Sequence, residues 1–217
     1  QMCIRDRLKD AAERYRAVAE RGGSPEQIQT ALLGLARTEL AAGRDEKAQE
    51  AARAYLEKYP ETPGVDRARL VAAQAAAHRG EDTAREQLQT VARTASVEVA
   101  WEALVSLAES AQDDAATARR LWWEAAQRAP AGEDRRASAL LKASALTGEA
   151  EGRPALAAEL AEEAAQAADT PALRARALGQ ALDWYREAEQ PTRATEVARR
   201  LACLLYTSDA ADEEDSV

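Results

Sequence analysis

One histidine, two cysteines and a few adjacent carboxylates are the side chains of this chain with chemistry to offer. His78 is the lone imidazole and stands two residues before Gly80, where a helix is expected to end. A cation there complements the negative end of the helix dipole, so we read it as a helix terminus rather than a proton shuttle. With Cys3 and Cys203 at the extreme ends and one His elsewhere, thiol catalysis and the usual zinc ligand sets lack members. Asp113-Asp114 and Glu162-Glu163 have the right type for general acid–base work, but at exposed helical positions such pairs are solvated surface, and we assign them there. The chain has no Gly-x-Ser-x-Gly elbow, phosphate loop or dinucleotide fingerprint. We therefore expect no enzyme, cofactor or metal.

The elements that would have to position any site are all helices. Hydrophobic residues make up 46% of the 217 residues, aromatics only 4%, and Phe is absent, so the apolar content is largely Ala and Leu. Alanine is the best helix former, and its small side chain lets helices approach closely. All seven prolines stand where helices should begin or end: Pro25, Pro60, Pro63, Pro130, Pro154, Pro171 and Pro191. Ser24-Pro25-Glu26-Gln27 reads as a capping box, and Thr170-Pro171 repeats the cap-then-proline arrangement. No segment alternates as a strand should.

The organising stretch is Leu32 to Pro60. Leu32, Leu35, Ala36 and Leu40 share one helical stripe, Gly43 ends it, and Ala48, Ala52, Tyr55 and Leu56 form a second stripe. A small residue early in each second helix then recurs as Ala11, Ala48, Ala84, Ala118, Ala157 and Ala194, with gaps of 37, 36, 34, 39 and 37. One amphipathic hairpin cannot bury its apolar face alone, so equal hairpins must stack beside it. Beyond the helix ending at Arg21, the spacing predicts pairs at about 25–42 with 45–59, 65–79 with 82–94 and 97–111 with 114–129. Two more follow at about 133–147 with 153–168 and 171–188 with 191–202.

Leu32, Leu35, Ala36, Gly43, Ala48 and Pro60 resemble the tetratricopeptide repeat, and Ala118, Trp122, Ala125 and Pro130 keep its Ala, aromatic, Ala, Pro spacing. Ala36, Glu39 and Ala52 depart from its usual residues. The resemblance implies an all-α fold: an α-solenoid of antiparallel helix hairpins, wound as a tetratricopeptide-like superhelix whose first helices line a concave groove. Carried onto this chain, the groove positions are Arg37, Arg67, Gln74, Glu102, Ser106, Glu109, Arg135, Lys142, Arg176, Gln180 and Asp183. Leu33 and Arg37 stand where the carboxylate-clamp version carries Lys and Asn, which disfavours chaperone-tail recognition. Trp101, Trp122 and Trp184 fall at or near core positions, whereas Trp123 is the aromatic we expect to contact another molecule.

The two ends read differently. Met2-Cys3-Ile4-Arg5-Asp6-Arg7 and Cys203-Leu204-Leu205-Tyr206-Thr207-Ser208 resemble translations of opposite strands of one DNA segment, similar to a transposase-type sequencing adapter. We therefore expect 1–7 and 203–217 to be adapter sequence, the latter disordered, flanking a repeat domain over 8–202 that is a fragment of a longer protein. Its truncated repeat ends are expected to self-associate.

The chain carries 29 Lys and Arg against 38 Asp and Glu, a net charge of −9 with both signs interspersed. That argues against binding a nucleic-acid backbone, which needs a basic stripe. No apolar run approaches the roughly 20 residues of a membrane span. The expected function is a non-enzymatic scaffold binding a peptide or protein surface in the groove. The competing expectation is a regulatory or substrate-guiding region of a larger enzyme, such as a peptidoglycan lytic enzyme, or of a transcription regulator. Tyr59-Pro60-Glu61-Thr62-Pro63 resembles a turn common in tetratricopeptide proteins of the bacterial envelope, which implies that location.

Overall fold

Several helix ends in this chain fall where a side chain or a glycine satisfies the terminal backbone groups. Before the second helix, Ser24 Oγ accepts from Gln27 N at 3.3 Å, while Ser24 N donates to Gln27 Oε1 at 3.0 Å. Both halves of the expected capping box are thus present. Thr170 Oγ1 accepts from Leu173 N in the same way at 3.3 Å, with Pro171 in the first turn. The turns within two hairpins use Gly43 and Gly80, each at φ +68°, a conformation that costs glycine little.

The computed structural model describes residues 2–111, 113–132 and 134–214. Over them run α1 Met2–Arg21, α2 Pro25–Ala41, α3 Asp45–Lys58, α4 Val65–His78, α5 Ala84–Thr94 and α6 Val97–Ser110. Then come α7 Ala115–Gln127, α8 Arg135–Glu149, α9 Pro154–Ala167, α10 Pro171–Glu187 and α11 Pro191–Glu214. No strand occurs among the described residues. The chain is all-α and built of antiparallel helix hairpins, with interior boundaries within about two residues of those the spacing predicts. The last helix departs from the expectation: it continues through 203–214 instead of ending near 202. Gln1 and residues 215–217, which belong to the two stretches set aside above, lie outside the described residues.

The chain divides into two compact units between Ser106 and Leu107. In the first, each helix from α1 to α4 packs on the next, and the first helices α2 and α4 also touch directly. The second helices α3 and α5 do not pack on each other. In the second unit, α7 to α11 pack in sequence, α8 touches α10, and α9 is joined to α11 by the ion pairs Glu159–Arg193 and Glu162–Arg200. Within each unit, successive first helices are therefore close, as in a stacked hairpin array, and in the first unit the second helices α3 and α5 are splayed.

Alanine makes that closeness possible. Ala12, Leu35, Ala36, Ala48, Ala51, Ala52, Val71 and Ala75 form one core cluster spanning α1 to α4. Of the six small-residue markers, Ala48, Ala84, Ala118, Ala157 and Ala194 are buried. Ala11 is only half-buried, and its neighbour Ala12 takes the buried place. The larger anchors are few: Leu70, Leu88, Leu140, Tyr55 and Tyr185 are fully buried. Burying each such aliphatic side chain contributes about 1.5–3 kcal/mol.

Candidate interaction site

The expected groove residues do not form one free polar face. In the first unit, Arg67 of α4 pairs with Glu102 of α6. Gln74 Nε2 of α4 donates to Ser106 Oγ at 2.8 Å, and Ser106 Oγ donates back to Glu102 O at 3.0 Å. In the second unit, Gln180 of α10 donates to Ser144 Oγ at 3.0 Å and to Leu141 O at 3.3 Å, both on α8. Ser144 is fully buried and donates on to Ala157 O at 2.7 Å. The bonds between first helices join residues 32 to 39 apart, one repeat, and tie α4 to α6 and α8 to α10. Arg67, Gln74, Glu102, Ser106 and Gln180 are thus inter-repeat fasteners.

The rest divide by exposure. Arg37 on α2, Glu109 on α6, Lys142 on α8, and Arg176 and Asp183 on α10 are exposed, whereas Arg135 at the start of α8 is half-buried. Asp183 stands 3.7 Å from Arg186 on its own helix, a pairing of little energetic weight at this exposure. Lys142 adjoins Leu141, whose carbonyl Gln180 reaches, and Arg176 lies one turn before Gln180 on the same stripe of α10. The two cations therefore stand on the two helices that this bond joins, within a turn of the bonded residues. Trp123 is 46% exposed, as expected of a contact residue, but it projects from α7, a second helix, and not from a first helix.

Of the residues first weighed for chemistry, His78, Asp114, Glu162 and Glu163 are held in structural bonds. His78 Nδ1 lies 2.9 Å from Asp45 Oδ1, joining the end of α4 to the start of α3. Asp114 caps α7 by accepting from Thr117 N at 3.0 Å. Glu162 accepts from the Tyr185 hydroxyl at 2.7 Å and pairs with Arg200, and Glu163 pairs with Arg136 at 2.7 Å. Burial of the Tyr185 phenol, then its bond to Glu162, raises its pKa above the usual tyrosine range. No group of three or more His, Cys, Asp or Glu that could hold a metal occurs among the described residues.

Three features escaped the sequence reading. Glu39, 1% exposed, is clasped by Arg16 at 2.7 Å and by Arg44, so the residue in place of the usual aromatic carries a buried charge with two partners. Second helices also reach the hairpin turn of the next repeat: Gln49 Nε2 lies 3.4 Å from Glu81, and Arg119 Nε 2.5 Å from Glu151. Gln49 and Arg119 each follow a marker alanine, and each acid lies 32 residues on, a regularity that was readable in advance. Asp134, left-handed at φ 54°, accepts from Asp169 N, from Thr170 N at 3.1 Å and from the Thr170 hydroxyl, joining two inter-repeat turns. The Thr170 bond chiefly holds its carboxyl below the ordinary range.

No protein-family model and no curated protein matches the chain. Among solved structures it is similar to BtubC (BKLC) from P. vanneervenii, with a TM-score of 0.63 at 17% identity, covering 96% of this chain and 92% of that one. It is also similar to a thermophilic TPR protein of Thermus thermophilus, with a TM-score of 0.44 at 24% identity, covering 82% of this chain and 99% of that one. At such identity the likeness to BtubC is one of fold, an all-helical array matched over nearly the whole of both chains.

Proposed function

We propose that the chain is a non-enzymatic interaction scaffold, and that the first-helix face formed by α8 and α10 takes a peptide or protein surface bearing carboxylates. One observation carries this reading. Gln180 and Ser144 bond α8 to α10, while Lys142 and Arg176, within a turn of the bonded residues on those helices, stay exposed with no ion pair among the described residues. A rigid platform with uncommitted cations suits charge-steered recognition, because little ordering cost is added when a partner arrives. Most other polar groups of the expected groove already have partners within the fold and contribute complementarity rather than energy.

The test is selection of short random peptides on the immobilised chain, followed by titration of the enriched sequences. Enrichment of acidic peptides is expected. Lys142→Ala combined with Arg176→Ala should weaken them about tenfold, or about 1.4 kcal/mol, while leaving the melting temperature unchanged. Equal binding by this variant and the parent would refute the assignment.

A further inference from the structure

The splaying of second helices opens a cleft in the first unit that the scaffold reading does not use. Its volume is about 390 Å³, and it lies between α3 and α5 over a floor of α4. Leu56, Ala72 and Val91 give it an apolar lining from three helices. Its charged side chains are Arg53 on α3, Arg69 on α4 and Glu86 on α5. Arg53 and Glu86 are exposed and make no ion pair among the described residues. Arg69 has only Asp66 at 3.7 Å on its own helix, which is weak at such exposure. Gln49, deeper along the wall, is already taken up by Glu81 and Arg79.

We propose that this cleft is a docking site for an acidic amphipathic helix of a partner protein. The lining residues of α3 span Gln49 to Leu56, two helical turns or about 10 Å, enough for two apolar side chains at i and i+4 from one face of an entering helix. The trough is open along one side, which suits the flank of a helix better than a small molecule needing enclosure. Charge complementarity selects the partner. Arg53 and Arg69 supply two cations toward α3 and α4, so carboxylates beside the apolar stripe meet both, and a polar uncharged edge faces Glu86. The helix would complete the layer that α3 and α5 leave unfilled. This site is on second helices of the first unit and does not depend on the α8–α10 assignment.

The probe is a fluorescein-labelled amphipathic helical peptide with leucine along one stripe and glutamate on its flank, compared with the same peptide carrying lysine for glutamate. Fluorescence anisotropy on the full chain should show saturable binding of the glutamate form and at least tenfold weaker binding of the lysine form. Arg53→Glu with Arg69→Glu should reverse that preference. Because both side chains are exposed, circular dichroism should show the fold and melting temperature retained. The Lys142→Ala, Arg176→Ala variant should bind the probe as the parent does. Absence of saturable binding, equal affinity for both peptides, or affinity indifferent to the arginine reversals would overturn the proposal. So would a monomer–dimer equilibrium abolished by the same reversals, which would place a second copy of the chain in the cleft.

Discussion

Gly148→Ala opposes two effects of known size where the first helices α8 and α10 meet. Gly148 is buried in α8 against the indole of Trp184 on α10. Alanine in place of glycine gains up to about 1 kcal/mol in a helix interior through backbone entropy, and less at Gly148, which stands in the last turn of α8. A Cβ at Gly148, however, would sit 2.5 Å from Cη2 and from Cζ2 of Trp184 and 2.7 Å from Cζ3. Carbon–carbon contacts are optimal at about 3.5–4.0 Å, so the indole or the spacing of α8 and α10 has to give by an ångström or so. Overpacking of this kind costs about 1–3 kcal/mol, and the net expectation is a loss of about 1 kcal/mol. Gly179 on α10 is the control: it is helical, and a Cβ there meets nothing within 4 Å, so Gly179→Ala should stabilise by about 0.5–1 kcal/mol. Urea unfolding followed by far-UV circular dichroism reads both. In a Trp184→Leu background Gly148→Ala should change from loss to gain, the signature of direct coupling. If Gly148→Ala stabilises the parent as much as Gly179→Ala does, the close approach of α8 and α10 is wrong.

Three further outcomes are expected. Replacing both Arg16 and Arg44 by Ala strands the buried Glu39 carboxylate and should cost about 3–5 kcal/mol in urea unfolding, with Glu39→Gln added to the double variant restoring part of the loss. Ala48→Leu and Ala118→Leu, at positions 0% and 2% exposed, should each destabilise by about 1–3 kcal/mol, and an unchanged melting curve for both would remove them from the tight crossings. Asp134 has a folded pKa below its unfolded value, so its contribution is present above the ordinary carboxylate pKa of about 4 and fades as pH falls through the folded value. Asp134→Asn tolerates the left-handed backbone and should flatten the acid limb of a melting-temperature profile; an unaltered limb would show that the bonds to Asp169 and Thr170 carry no pH dependence.

Helix existence, helix ends and repeat length were legible in the residues because each depends on local chemistry. Ser24 with Gln27, Thr170 with Pro171, and Gly43 or Gly80 act within one turn of chain, and a recurring small residue reports directly that another helix must come close. Which polar side chains would remain available to a partner was not legible. Arg67, Gln74, Glu102, Ser106 and Gln180 read only as positions facing the groove, yet they bond to groups on the neighbouring first helix. Only the distance between helices one repeat apart decides that these groups satisfy each other, and that Lys142 and Arg176 do not find partners there. The same distance turned Glu39 into a buried ion-pair centre and opened the α3–α5 cleft. Periodicity along one helix specifies a face. What stands opposite that face is set by spacing and crossing between helices, to which alanine, compatible with many approaches, gives only a bound.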